Sequence, residues 1–155
     1  MSSTSAPPSV DTPVAVVEAF LEALSAPDVD AAMALVDESI AYTNVSLPTM
    51  DRTAMRQFLS GVEEPGSGFD VTIHNISADG GTVLTERTDL LVLRGIKVQI
   101  WVCGRFEVVD GKITVWRDYF DWLDIARAAV RGIAARFKPE LAPSMPSKDD
   151  EAPGR

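Results

Sequence analysis

Histidine and cysteine each occur once, as His74 and Cys103. One histidine rules out an HExxH helix and a Cys/His zinc spacing, and no G-x-S-x-G turn is present to carry a Ser-His-Asp set. One cysteine rules out a disulfide within the chain and points to a reducing compartment. Basic residues are few, 14 Lys and Arg against 23 Asp and Glu, for a net charge of −9. That balance disfavours nucleic acid and anionic membrane as partners. No run of about 18 apolar residues is present, so no helix is expected to insert in a membrane. The opening "MSSTSAPPSV" lacks the basic-then-apolar layout of a signal peptide, and the cytoplasm is the expected location. No glycine-rich phosphate loop follows a strand pattern.

What is present reads as one domain. The chain has 155 residues, 46% of them hydrophobic, enough to bury a real core. Residues 1–10 are Ser/Pro-rich and are expected to be disordered. Residues 11–137 form the expected catalytic domain. The stretch 138–155, "KPELAPSMPSKDDEAPGR", holds four prolines and is expected to be a disordered tail, because it has little apolar area to offset ordering entropy.

Local signals place the elements. Thr12-Pro13 ahead of Val17, Phe20, Leu21 and Leu24 predicts a capped helix ending before Pro27. Asp28 or Asp30 caps a shorter helix through Met33, Leu35 and Val36. Residues 40–47 alternate as a strand, and Asp51 caps a helix carrying Met55, Phe58, Leu59 and Val62. Strands are predicted over 69–77, 82–93, 97–109 and 112–120, with Asp110-Gly111 a strong two-residue hairpin signal. His74, alternating with Thr72 and Ile76, reads as a surface strand residue. A last helix spans about 121–137, with Ile125, Ala129, Ile133 and Phe137 on one side. The predicted class is α+β: a curved, mostly antiparallel sheet with helices closing its concave face, cone-like with one mouth.

One stretch breaks the apolar pattern. In "TVLTERTDLLVL" (82–93), Arg87 and Asp89 share a strand face with Val83, Leu91 and Leu93. Their partners depend on register. A two-residue turn at Asp110-Gly111 sets Cys103 opposite Asp118. A three-residue loop Arg94-Gly95-Ile96 then sets Arg87 opposite Cys103 as well. A two-residue loop there pairs Arg87 with Val102 and sends it to the face opposite Asp118, since a one-residue slip flips faces. With the longer loop, Arg87, Cys103 and Asp118 form one row across three strands, about 10 Å from end to end. An arginine spans that distance over a small central residue, and Asp89 lies two residues along on the same face.

The expected group is Asp89–Arg87–Asp118. With both carboxyls ionised it carries −1, in a pocket lined by Leu91, Trp101, Cys103, Trp116 and Phe120. A low dielectric disfavours that imbalance and raises one carboxyl pKa. A protonated and an ionised carboxyl at one site supply an acid and a base near neutral pH. The competing reading is a buried ion-pair network that only fixes the sheet.

The segments "YTN" (42–44), "TERTD" (85–89) and "WRDYFD" (116–121), in that order, resemble the limonene-1,2-epoxide hydrolase family. The resemblance covers about residues 12–125 and implies a cone of the nuclear-transport-factor-2 type. It implies one-step hydrolysis of an epoxide to a vicinal diol, with no metal, cofactor or covalent intermediate. By the same resemblance Asp118 is the base, Tyr42 and Asn44 hold the water with it, Asp89 is the acid, and Arg87 bridges the two aspartates. The implied partners are a hydrophobic small-molecule epoxide and a second copy in a homodimer. A ketosteroid-isomerase-like or polyketide-cyclase-like enzyme of the same fold is an alternative, as is a non-catalytic ligand-binding module.

Overall fold

The computed structural model describes residues 12–148 and residue 150, so the expectation for residues 1–10 lies outside the described residues. The first helix, α1, runs Pro13–Ser25 with the Thr12 hydroxyl accepting from the Ala15 N–H at 3.1 Å. Its Val16, Val17, Phe20, Leu21 and Leu24 are buried. Asp28 caps α2, Val29–Ala34. This helix stops short of the expected Leu35 and Val36, because Val36 opens strand β1 (Val36–Asn44) and pairs with Ile113. Strand β1 starts before the expected position 40. Its register shifts between Val36 and Ala41, so residues there carry no clean alternation. Asp51 caps α3, Arg52–Leu59, which ends in a 3-10 turn over Ser60–Glu63.

Four more strands follow: β2 (Gly68–Asp79), β3 (Thr82–Leu93), β4 (Ile96–Val109) and β5 (Lys112–Tyr119). The sheet order is β1-β5-β4-β3-β2, with β1 parallel to β5 and every other pair antiparallel. Helix α1 and the 3-10 turn cover one part of the concave face. Helix α4, Trp122–Ala134, capped by Asp121, covers the part over β4. The main core lies between α1 and the sheet, around Phe20, Phe106, Ile113 and Trp116. A smaller cluster lies under α4, around Val98, Ile100 and Val102.

The expected register fails in two places, and the two errors offset each other. The β3–β4 connection is a two-residue turn: Arg94 (φ 50°) and Gly95 (φ 81°) occupy the left-handed region, and Leu93 pairs with Ile96. Arg87 therefore faces Val102, not Cys103. The Asp110-Gly111 turn forms as expected, but β5 carries an extra residue, Thr114, between Ile113 and Val115. Beyond this bulge Asp118 faces Gly104, not Cys103. Each shift flips a face, so Arg87 and Asp118 finish on the same side. The row across the three strands is Thr85–Gly104–Asp118, with Arg87 one step along from Thr85 on its face.

Three further expectations are corrected. His74 is not a free surface residue. It is the extra residue of a β2 bulge, half-buried, with Nε2 2.9 Å from the Thr88 hydroxyl and Nδ1 buried without a partner. Helix α4 packs Ile125, Ala128, Ala129 and the buried Gly132 toward β4, leaving the expected core residues Ile133 and Phe137 exposed. The tail, expected to be disordered, is ordered over 138–148. A 3-10 turn at Pro139–Leu141 precedes a buried Pro143, and the Gln99 amide donates to the Ser144 carbonyl (2.7 Å) and the Thr72 hydroxyl to the Pro146 carbonyl (2.9 Å). Gln99 and Thr72 both lie on the convex face of the sheet, so the tail runs along that face. Residues 149 and 151–155 lie outside the described residues.

Candidate active site

Arg87 is wholly buried, and its guanidinium makes three separate contacts. Nε donates to both oxygens of Asp89, at 2.9 and 3.2 Å. Nη2 donates to Asp118 Oδ2 at 2.5 Å, and Nη1 to the Thr85 hydroxyl at 3.1 Å. The side chain leaves β3 and crosses β4 to reach β5. Phe106 lies beneath it, with the guanidinium carbon 6.0 Å from the ring centre. Asp118 accepts a second bond on Oδ1, from the Trp116 indole N–H at 2.7 Å. The parallel pairing of β1 with β5 sets Asn44 beside Asp118 and Tyr42 beside Trp116. The Asn44 amide donates to the Tyr42 phenol oxygen at 2.9 Å, and the Tyr42 ring stacks on Trp116 with centroids 4.2 Å apart.

These groups end a cavity of about 360 Å³ that opens between α1, α3 and α4. Tyr42, Asn44, Asp89 and Asp118 supply its buried polar end. The other walls are mainly apolar, and exposed Leu47, Phe58, Leu93 and Trp122 border the mouth. Arg87 does not line the cavity, so it can act on a bound molecule only through the two carboxylates. A wider surface groove between α2, β1 and α3 is lined by charged residues that pair with one another, Arg52 with Glu38 and Arg56 with Asp30. No site residue lines it.

Burial dominates the electrostatics. It pushes the Asp89 carboxyl up to about 6, with Asp118 adding to the rise and Arg87 opposing it. Burial and the neighbouring Asp118 raise the Tyr42 phenol well above its ordinary value, so it stays protonated and can donate. Burial alone would lower Arg87, but the two aspartates outweigh it and keep the guanidinium charged. Below about pH 6 the proton held on Asp89 removes one negative charge from the Asp–Arg–Asp group and leaves a carboxyl that can donate. No set of three or more His, Cys, Asp and Glu side chains placed to hold a metal ion occurs among the described residues.

The structure brings together Tyr42, Asn44, Arg87, Asp89 and Asp118, and Leu91, Trp116 and Phe120 line the same cavity. Trp101 and Cys103 do not line it. The two-residue turn puts the even-numbered residues of β4 on the concave face, so Trp101 and Cys103 lie on the convex one, exposed and half-buried respectively. Burial raises the Cys103 thiol, which argues against a thiolate nucleophile. In their place the wall holds Ile100 and Val102, which the correct turn length would have identified. Phe58, Leu59 and Trp122 also line it. They come from helices whose placement over the sheet no local pattern encodes.

Comparison with known proteins supplies the family. The limonene-1,2-epoxide hydrolase catalytic domain family matches residues 11–131. The epoxide hydrolase EphG of Mycobacterium tuberculosis (strain ATCC 25618 / H37Rv) is 43% identical over 129 residues, covering 83% of this chain and 87% of that protein. A solved LEH-like epoxide hydrolase of M. tuberculosis superposes with a TM-score of 0.80 at 40% identity, over 91% of this chain and all of that one. A protein of ketosteroid-isomerase-like fold from Catenulispora acidiphila DSM 44928 reaches 0.65 at 17% identity, over 74% of this chain and 92% of that one, a likeness of fold alone. No helix among the described residues is long and apolar enough to cross a membrane. The chain belongs to the limonene-1,2-epoxide hydrolase family, and its activity is that of an epoxide hydrolase.

Proposed function

We propose that the chain hydrolyses a hydrophobic epoxide of terpene, fatty-acid or sterol type in one step, by acid–base catalysis from Asp89 and Asp118. A water held by Asp118, Tyr42 and Asn44 attacks an oxirane carbon. As the C–O bond breaks, Asp118 takes a proton from the water and Asp89 gives its own to the oxirane oxygen. The product is a vicinal diol. Asp118 ends protonated and Asp89 ionised, and cavity water returns the proton between turnovers. Arg87 orients both carboxyls and keeps their combined charge low. Opposed acid and base address both difficulties of the reaction, the poor leaving group and the weak nucleophile; proton transfer of this kind contributes about 10²–10⁴-fold.

The observation that carries this reading is one buried arginine bonded to two aspartates that both face an otherwise apolar cavity. Isomerase chemistry needs an acid pair at an oxyanion and no attacking water; a carboxylate beside a Tyr–Asn pair favours hydrolysis. The mainly apolar walls favour a lipophilic substrate. A homodimer in the cytoplasm, implied by the family resemblance and by the cysteine and charge content, completes the proposal, and sedimentation velocity tests its oligomeric part. For the chemistry, a panel of terpene, styrene, fatty-acid and sterol epoxides is turned over once in heavy-oxygen water. Label is expected in the diol. Label appearing first in a protein carboxylate overturns the one-step route, and a panel that yields no diol favours the binding-module reading.

A further inference from the structure

Two residues outside the mechanism above sit against its central cation. The Thr85 hydroxyl accepts from Arg87 Nη1 at 3.1 Å and lies 3.5 Å from the Gly104 carbonyl, to which it donates. With its hydrogen engaged there, the hydroxyl turns a lone pair to the guanidinium. Gly104 occupies the middle of the cross-strand row, between Thr85 and Asp118, and the guanidinium lies over it. A Cβ at Gly104 would fall 2.2 Å from Arg87 Nη1, 2.7 Å from the Thr85 hydroxyl and 3.0 Å from Asp118 Oδ1. The Gly104 backbone lies outside the left-handed region, so its conformation does not demand glycine. A glycine inside a strand weakens it and often marks a close approach. The group that approaches here is the guanidinium.

We infer that Thr85 and Gly104 form a seat for Arg87 and are positioning residues of the hydrolysis: Gly104 through the space left by its missing side chain, Thr85 as the third acceptor of the planar fork. A guanidinium held on Nε by Asp89, on Nη2 by Asp118 and on Nη1 by Thr85 can neither rotate nor slide. The two carboxyls inherit that placement. A side chain at Gly104 pushes the cation out of plane and parts it from at least one of them. The seat rests on the acid–base reading proposed above.

The test compares full-length Gly104→Ala, Thr85→Val and Thr85→Ser with the wild type. Steady-state kinetics use styrene oxide and limonene 1,2-oxide, and carbon-13 NMR follows the titration of the Asp89 carboxyl, a readout that does not need turnover. Gly104→Ala is expected to lower kcat on the order of 100-fold, the scale of an ångström's misplacement, with KM within about threefold. It is also expected to move the Asp89 titration upward as its cation withdraws. Thr85→Val moves both readouts the same way by a smaller amount, and Thr85→Ser restores both. A Gly104→Ala chain with wild-type kcat and an unmoved Asp89 titration overturns the inference. So does a Thr85→Val chain that titrates like wild type, or a Thr85→Ser chain as impaired as Thr85→Val. Should Gly104→Ala not fold, the Thr85 pair decides alone. Asp118→Asn, measured alongside, separates the two levels. If that variant stays active, the acid–base reading itself fails; if it is dead while Gly104→Ala is unimpaired, only the seat fails.

Discussion

Asp89 and Asp118 hang on the same guanidinium but differ in what else they touch. Asp118 accepts from both Arg87 and the Trp116 indole, whereas Asp89 shares one Arg87 N–H between its two oxygens. Asp89 is also the carboxyl that burial pushes up to about 6, from an ordinary 3.8. As an acid it works only while protonated, so kcat/KM is expected to fall tenfold per pH unit above about 6, with Asp89→Asn removing turnover. The sign for stability follows from linkage. Between pH 4 and 6 the folded chain holds a proton on Asp89 that the unfolded chain has released, so this group's contribution is fully present below about 3.8 and is lost as pH rises through 6. Urea midpoints at several pH values check this: wild type minus Asp89→Asn should decline across that window and level off above it. At this scale the sequence was informative, because a charged pair on an apolar strand face is visible as a break in alternation. It was less informative about Thr85 and Gly104, whose residue types are ordinary in strands and turns and gain meaning only beside Arg87.

Among the elements, legibility followed how local the determinant is. Helices α1 and α3 begin at Thr12 and Asp51, where the caps signal, and the Asp110-Gly111 turn forms where its dipeptide predicts. The Arg94-Gly95 turn is one residue shorter than its sequence suggests, because arginine is an unusual occupant of a left-handed position, at φ 50°. The Thr114 bulge left no mark in the sequence; it falls where β5 pairs with both β1 and β4, and both pairings shift register there. Helix α4 keeps Ile125 and Ala129 of the expected stripe but not Ile133 or Phe137, because its last contact is Gly132, a residue that hydrophobic periodicity ignores. A Cβ there would lie 2.2 Å from the Lys97 carbonyl oxygen, which is backbone and cannot swing aside. Gly132→Ala should therefore destabilise the fold by about 1–3 kcal/mol despite alanine's better helix propensity. Thermal melts check it, and a melting temperature at or above wild type would show that the helix does not approach β4 this closely.

For the molecule as a whole, the concave face holds the cavity while the convex face is partly strapped by residues 139–148. The tail's composition pointed to disorder because its own apolar area is small; what it lacks is supplied by strands distant in sequence. Removing residues 139–155 gives up a buried proline and the bonds to Gln99, Thr72 and Arg131, so stability should drop by about 1–3 kcal/mol. Turnover should be nearly unchanged, because none of the described tail residues lines the cavity. Denaturant melts and kcat measured on the same preparation separate the two effects, and a truncated chain as stable as wild type would mean the strap contributes nothing.

The offset between the short Arg94-Gly95 turn and the Thr114 bulge makes the acid–base group a matter of parity. One residue gained or lost at either place, alone, turns Asp118 away from Arg87. A gain at the turn combined with a loss at the bulge restores the parity only by inverting the middle strand, which sets Cys103 where Gly104 leaves room for the guanidinium and turns Phe106 out of the core. The lengths of the turn and of β5 are therefore locked by the chemistry, and a chain of this design acquires a new substrate by exchanging side chains such as Ile100 and Val102, not by indels at either place.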